Sequence, residues 1–425
     1  MATVPAGQNG QRIVTLDIVR GVAVMGILAM NIVAFAMPEQ AYFNPLAYGP
    51  QRAVDFVSYA FTFVFVEGKM RGLFSFLFGA SMLLVIQLAA SKGESAAKAT
   101  FGRQFWLLLF GMIHFYLIWW GDILIGYALI GMVAWFFRNK APKSLMRWGI
   151  GLIALQFVIL AAGAAMLSSL AAAVSAPNPD PQMVETWRAM TEQIAVPSPA
   201  MVAADLALHR GPWLGIVENR LTEKLWFPFI FTGAMGAETL GYMLLGMAGL
   251  KSGFLTGERD NRRYRKVATT CLAVAIPAYA LLAYWLFAAD FDVTVVSAVS
   301  AATVAFRPLM VFAYAALIIL VTRGGGWVVD RIAAAGRAAF TNYLGTSILL
   351  TALFYGWGAG LYGSMGRAEL YLVVLAMWLV MLAWSKPWLD RFAYGPFEWA
   401  WRSLSRLKVQ PLRKPRGATS IQAGA

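Results

Sequence analysis

Long apolar runs separated by short polar turns limit what this chain can fold into. Crossing the hydrocarbon of a bilayer takes about 20 apolar residues per helix, and about ten runs of that kind can be placed. They cover roughly residues 16–37, 54–91, 101–119, 121–138, 144–173, 225–250, 265–289, 299–322, 336–360 and 369–385. With 60% hydrophobic and 13% charged residues over 425, the chain carries too much apolar surface for a soluble globule. The expected fold is an all-α polytopic membrane protein of about ten to eleven transmembrane helices. Its second run, 54–91, would be about 57 Å long as a straight helix, too long for one crossing. That run is expected to be broken or partly re-entrant at "VEGKMRG", residues 66–72.

Charge placement sets the orientation. The net charge of +14 gathers in alternate loops: Arg138, Lys140, Lys143 and Arg147, then Lys251 and the bases of 259–266, then the tail from Lys386 to Arg416. The 176–224 segment instead holds Asp180, Glu185, Glu192, Asp205, Glu218 and Glu223 against Arg188, Arg210, Arg220 and Lys224. This positive-inside pattern argues against a nucleic-acid partner and places both termini in the cytoplasm. The organisation expected is a cytoplasmic N-terminus (1–12), an N-terminal transmembrane half (13–173), an extracytoplasmic segment (174–224), a C-terminal transmembrane half (225–385) and a cytoplasmic amphipathic and basic tail (386–425). No cleavable signal peptide is expected, since the first run opens with Asp17 and Arg20 and lacks a small-residue cleavage site after it. Cys271 is the single cysteine, which excludes an internal disulfide or a Cys-ligated metal, and no metal site is expected.

The stretch "FGMIHFYLIWWGDILIGY", 110–127, sets His114 and Asp122 in an almost unbroken apolar run. Ionisable groups at membrane depth are costly, which makes each a functional candidate. The bland readings are that His114 hydrogen-bonds a neighbouring helix and that Asp122 caps the helix beginning at Ile123. Arg103 and His114 lie eleven residues apart, which returns within about 20° of one helical face and separates them by about 16 Å in depth. Arg20 and Asn31 repeat that spacing in the first run. Each helix therefore offers a cation near its cytoplasmic end and a neutral polar group deeper in. If the two faces meet, they suit an elongated cytosolic ligand with phosphates at one end; otherwise the arginines snorkel to the interface. Glu67 and Arg71, at i and i+4, are expected to pair locally, leaving Lys69 to meet an anion. Thr341 and Asn342 should hydrogen-bond between helices. His209 reads as a surface residue, and "GPFEWAWRSL" as an amphipathic helix with Trp399 and Trp401 at the headgroups.

Several stretches together resemble the YeiB-type family of bacterial membrane proteins, a domain-of-unknown-function family. They are "RIVTLDIVRGVAVMGILAMNIVAFAMPEQAYFNP", "EGKMRGLFSFLFGAS", "GMIHFYLIWWGDILIGYALIGM", "GRAAFTNYLGTSILLTALFYGWG" and "GPFEWAWR", in order over nearly the whole chain. More distantly, the first half resembles the transmembrane acyltransferases of the heparan-alpha-glucosaminide N-acetyltransferase type. There too a D-x-x-R-G opening precedes an asparagine at the spacing of Arg20 to Asn31, and a later helix with an arginine, paired leucines and a glycine, followed by a turn and a helix with a tyrosine, resembles Arg103–Gly111 and Asp122–Tyr127. This resemblance implies acetyl-CoA or another acyl-CoA as cosubstrate on the cytoplasmic side of a bacterial inner membrane. The partners implied are membrane lipids and a small-molecule or glycan acceptor, and a homodimer is compatible with it.

On that reading His114 is the general base, since "PEQAYFNPLAYGPQRAVDF", where the acyltransferases carry theirs, has no histidine. Asn31 would donate to the thioester oxygen, Asp122 would orient the imidazole, and Arg20, Arg103, Lys69 and Arg71 would bind phosphate. The alternative is a transporter or flippase for an anionic small molecule, whose interrupted second helix and intramembrane ions would line the path.

Overall fold

A computed structural model describes residues 13–191 and 196–414 and builds them almost entirely from helix. Sixteen α-helices follow one another: α1 (Val14–Ala36), α2 (Ala53–Phe65), α3 (Lys69–Ser91), α4 (Ala96–Ile113), α5 (Leu124–Ala134), α6 (Pro142–Val174), α7 (Pro181–Thr191), α8 (Pro199–Arg210), α9 (Trp213–Thr222), α10 (Phe227–Lys251), α11 (Asn261–Ala288), α12 (Val293–Thr322), α13 (Trp327–Arg337), α14 (Ala339–Phe354), α15 (Arg367–Arg391) and α16 (Pro396–Ser405). Among the described residues the only β-type pairing is an isolated bridge of Phe392 with Arg413. The expected 1–12 terminus and residues 415–425 of the tail lie outside the described residues.

Among the described residues seven helical stretches are long and apolar enough to cross a membrane, with α2 and α3 forming one of them, and two further apolar helices are shorter. Helix ends follow local chemistry. Ser95, Asp260 and Asp292 accept the first free amides of α4, α11 and α12, and Pro142, Pro199 and Pro396 open α6, α8 and α16. In α1, 72% of the apolar window is buried within the bundle, against 22% in α6, α11 and α15. Helix α1 is therefore near the axis, and the outer helices turn apolar side chains such as Ile150, Val158, Leu281 and Leu372 outward.

The two halves of the sequence interleave rather than forming separate bodies. Helix α1 packs against α13, α14 and α15, while α3 packs against α10 and α12. At one end of the bundle the 196–224 segment docks on the turns: Trp213 Nε1 donates to the Leu117 carbonyl, Arg210 Nε to that of Tyr362, and Lys224 pairs with Glu39 at 2.6 Å. At the other end Lys251 Nζ bonds the carbonyls of Arg138 and Lys140, bringing two of the basic loops together.

The 54–91 run is broken at Val66–Gly68, inside the expected stretch. Gly68 sits at φ +68°, where an L side chain is strained, and a Cβ there would fall 2.2 Å from the Arg307 Nε. The glycine thus turns the chain and admits a guanidinium against the backbone.

Candidate functional site

Helix α4 does not end as an ordinary helix. Its last turn widens into a π-helical stretch, His114–Ile118, closed by Trp119 N donating to His114 O at 2.7 Å. The chain then reverses at Trp119–Ile123, where Gly121 is required: a Cβ would lie 2.2 Å from the Trp119 indole. This reversal brings Asp122 back onto the histidine. His114 Nδ1 lies 2.8 Å from Asp122 Oδ1, while Asp122 Oδ2 accepts the Ile125 amide at 2.8 Å. Asp122 therefore caps α5 and holds the imidazole at once. Both side chains are fully buried. With Nδ1–H donating to the carboxylate, Nε2 presents a lone pair, and among the described residues it has no hydrogen-bond partner. Tyr343 packs on the ring at 5.1 Å, and its hydroxyl bridges the Ile123 amide and the Gly121 carbonyl.

A cavity of about 470 Å³ opens next to this turn. Asn31, Asp122 and Trp119 line it on one side, Glu67, Arg71 and Arg307 on another, and Phe231, Leu286 and Val299 give it an apolar wall. Among the described residues the Asn31 amide has no hydrogen-bond partner. Asn31 and Trp119 also line a second void of about 10 Å³ running along Val24, Ile27 and Leu28 of α1 beside Tyr343, about the room of one water. They form the wall between the two spaces. His114 itself lines neither; three of its neighbours do, Asp122 and Trp119 the large one, Trp119 and Tyr343 the small one.

The charged side of the cavity is a network. Glu238 of α10, fully buried, accepts from Arg71 at 2.6 Å and from Arg307 of α12 at 2.5 Å. Arg307 also donates to Thr303 Oγ1 at 2.9 Å and lies 3.9 Å from Glu67. Buried charges at this depth are tolerated when paired and hydrogen-bonded, and each lost partner costs about 3–5 kcal/mol.

Two expectations change here. Arg71 pairs with Glu238 rather than Glu67, because the break at Val66–Gly68 takes Glu67 off the helix on which i,i+4 spacing would apply. Lys69 is not free for an anion: it is wholly buried, its ammonium donates to the Phe63 carbonyl and stands 3.3 Å over the Tyr279 ring.

Arg20 and Arg103 lie away from the cavity. Arg20 donates to Ser81 at 2.6 Å and pairs with Asp17 at 3.1 Å. Arg103 lies 4.0 Å over the Trp401 ring, and Trp401 Nε1 donates to the Arg103 carbonyl at 2.8 Å. Trp401 is thus engaged with α4, and Trp399 Nε1 donates to the Gln410 carbonyl. His209 is buried too, stacked on Tyr362 at 4.5 Å with Nδ1 3.3 Å from Asp205. Thr341 and Asn342 do bond between helices, to Glu398 at 2.5 Å and to Ser385 at 3.2 Å.

Sequence reasoning missed Glu238, Arg307 and Tyr343. The first two carried a readable signal: they are ionisable residues inside apolar runs, which the cost of membrane charges marks as candidates. Tyr343 carried none, since its role depends on α14 packing beside the α4–α5 turn. Among the described residues no group of three or more His, Cys, Asp or Glu is placed to hold a metal.

Fold and site together define a helical polytopic membrane protein with a partly charged internal cavity. The chain belongs to the YeiB-type family: the model "Protein of unknown function (DUF418)" matches residues 250–408. Over its whole length it is similar to "Uncharacterized protein YxaH" of Bacillus subtilis, 31% identical over 97% of this chain and 99% of that one. It is likewise similar to "Uncharacterized protein YeiB" of Escherichia coli, 32% identical over 94% of this chain and 98% of that one. A protein in the amylase 3' region of Bacillus acidopullulyticus is 25% identical over 95% of this chain and 96% of its own. No solved structure matches the chain.

Proposed function

We propose that this protein is a membrane-embedded acyltransferase that moves an acyl group, acetyl in the simplest case, from cytosolic acyl-CoA to an acceptor held in the 470 Å³ cavity. The observation that carries the reading is the buried His114–Asp122 pair with its unpartnered Nε2. An imidazole fixed by a carboxylate through one nitrogen and free at the other is the arrangement a general base needs. His114 lies behind the cavity wall, so the step needs its neighbour Trp119 to move aside. The acceptor's hydroxyl or amine proton then passes to Nε2 as its oxygen or nitrogen bonds the thioester carbon. The C–S bond then breaks, and the CoA sulfur takes the proton from Nε2. Asn31, with a free amide at the wall between the two spaces, donates to the thioester oxygen as charge develops there. Arg20 and Arg103 hold the phosphates about 16 Å down the helices, and the narrow void along Val24, Ile27 and Leu28 is the route a pantetheine arm would widen.

The topology that goes with this has ten crossings, counting α2–α3 once, with both termini in the cytoplasm of a bacterium and the 174–224 segment outside the inner membrane. The acceptor, a small molecule or glycan, reaches the cavity from within the membrane or from that outer side.

A second reading has its own support. The broken α2–α3 and the Glu67, Arg71, Glu238 and Arg307 network would also suit a transporter for an anionic small molecule. Labelled acetyl-CoA turnover by purified protein, with a membrane extract as acceptor source, tests the choice, alongside thermal unfolding with CoA. Turnover and stabilisation by CoA are expected; neither turnover nor CoA binding would reject acyl transfer and leave the transporter.

A further inference from the structure

Helix α16 is held on the bundle by a buried carboxylate. Glu398 accepts from the Phe340 and Thr341 amides at 2.7 and 3.1 Å and from Thr341 Oγ1, so it caps the start of α14. This docking sets Trp401 under Arg103 and brings Arg402 and Arg406 to the same place. The charges that bear on Arg103 are those of Arg402, Arg406 and Arg20, all of one sign. Among the described residues the Arg103 guanidinium has no ion pair and no hydrogen bond, only the Trp401 face at 4.0 Å. Arg402 lies 4.7 Å over Tyr394, and the acid within reach of it, Glu398, is occupied by α14. Asp17 pairs with Arg20 at 3.1 Å.

Four guanidinium groups gathered in this way repel one another, and among the described residues Arg20 is the only one of the four with an ion pair, to Asp17. Two stand over aromatic rings, Arg103 over Trp401 and Arg402 over Tyr394, a placement that holds a guanidinium while leaving N–H groups for a phosphate.

We propose that Arg402 and Arg406 of α16 complete, with Arg20 and Arg103, a site for a ligand bearing two or more phosphate charges. The site lies at the end of the bundle that carries the basic loops. Its chemistry is shared by a soluble nucleotide bisphosphate and by an anionic lipid headgroup. It depends on the acyltransferase reading only in the choice of nucleotide as probe: phosphate binding without turnover would sink acyl transfer and leave this site standing.

The test uses the full-length protein in detergent, adenosine 3′,5′-bisphosphate as probe, and calorimetry on wild type, Arg402→Gln, Arg406→Gln and the double variant. Affinity should fall about tenfold in each single variant and about a hundredfold in the double, and salt should weaken it further. A second arm compares unfolding temperatures in phosphatidylcholine nanodiscs with and without phosphatidylglycerol. Stabilisation by phosphatidylglycerol that the double variant loses, with no bisphosphate binding, assigns the same site to a lipid headgroup. Without ligand the double variant should unfold at or above the wild-type temperature, because like charges have been removed. A marked drop there would make the arginines structural and overturn the site. So would wild-type affinity in the double variant, or no response to either probe.

Discussion

His114 Nδ1 and Asp122 Oδ1 stand 2.8 Å apart although eight residues and a chain reversal separate them. The contact exists because the π-helical turn His114–Ile118 and the sharp bend at Gly121 return the chain onto its own helix end. Helix α5 with its last turn, Leu124–Phe137, is about 21 Å long, shorter than the hydrocarbon. Both side chains are fully buried, so the pair is protected from water and leaving it unsatisfied would be costly.

Replacing Asp122 by Asn separates its two roles. The amide oxygen still accepts the Ile125 amide, so α5 keeps its cap and stability should change by only a few tenths of a kcal/mol. The imidazole loses the carboxylate that fixes its tautomer, and turnover should fall by about 10²- to 10⁴-fold with CoA affinity unchanged. Single-turnover kinetics and calorimetry on the same preparation read both. Full turnover in Asp122→Asn would reduce the residue to a helix cap.

Glu238 holds two guanidinium groups at once, so Glu238→Gln leaves Arg71 and Arg307 facing each other across a buried cavity wall. The expected loss is about 3–5 kcal/mol of stability, seen as a lower unfolding temperature in detergent. Glu238→Gln with Arg307→Met should recover part of it, since one of the two stranded charges is removed and Arg71 no longer faces a second guanidinium. No recovery in the double variant would show that the network is not coupled in this way.

What was legible in the sequence divides along local and distant effects. The apolar runs, the break near residue 67 and the dual role open to Asp122 follow from residues close together in the chain, and the structure has them. Lys69 and Arg71 went otherwise because their partners, Tyr279 and Glu238, lie on α11 and α10, about 170 to 210 residues on, beyond any periodicity argument. His209 was misread for the same reason: its polar neighbours in sequence suggest a surface, but Tyr355 and Tyr362 cover it.

Gly68 is the hinge of the broken run. Gly68→Ala puts a Cβ at φ +68° and against Arg307, so it should cost about 2 kcal/mol and push the guanidinium off Glu238. Thermal unfolding measures this, and unchanged stability would mean the break has another way to open.

In the 196–224 segment, burial alone would raise the Asp205 carboxyl, but hydrogen bonds from His209 and Tyr362 outweigh it and hold the group below its ordinary 3.8. A depressed folded value stabilises above the unfolded one and is lost as pH falls through the folded value. Asp205→Asn should therefore cost about 1 kcal/mol at neutral pH, and the gap from wild type should narrow below about pH 4. Unfolding curves at pH 7 and at steps from about pH 4 down to about pH 2.5 check it; a gap that stays constant over that lower range would rule out the ionised carboxylate as its source.

The His114 ring decides between a base and a helix contact. As base, His114→Ala abolishes transfer yet leaves acyl-CoA bound, because Nε2 acts on the acceptor's proton and touches no phosphate. His114→Gln is the sharper variant. Its amide nitrogen can still donate to Asp122, so a purely structural histidine would be replaced with a small loss of stability and full activity. A base would not be replaced, since an amide takes up no proton near neutral pH. Turnover of labelled acetyl-CoA should accordingly fall to background in both variants, while unfolding temperature drops in the Ala variant and barely moves in the Gln variant. Activity retained in His114→Gln would assign the proton transfer to a residue that lines the cavity itself, such as Asp122.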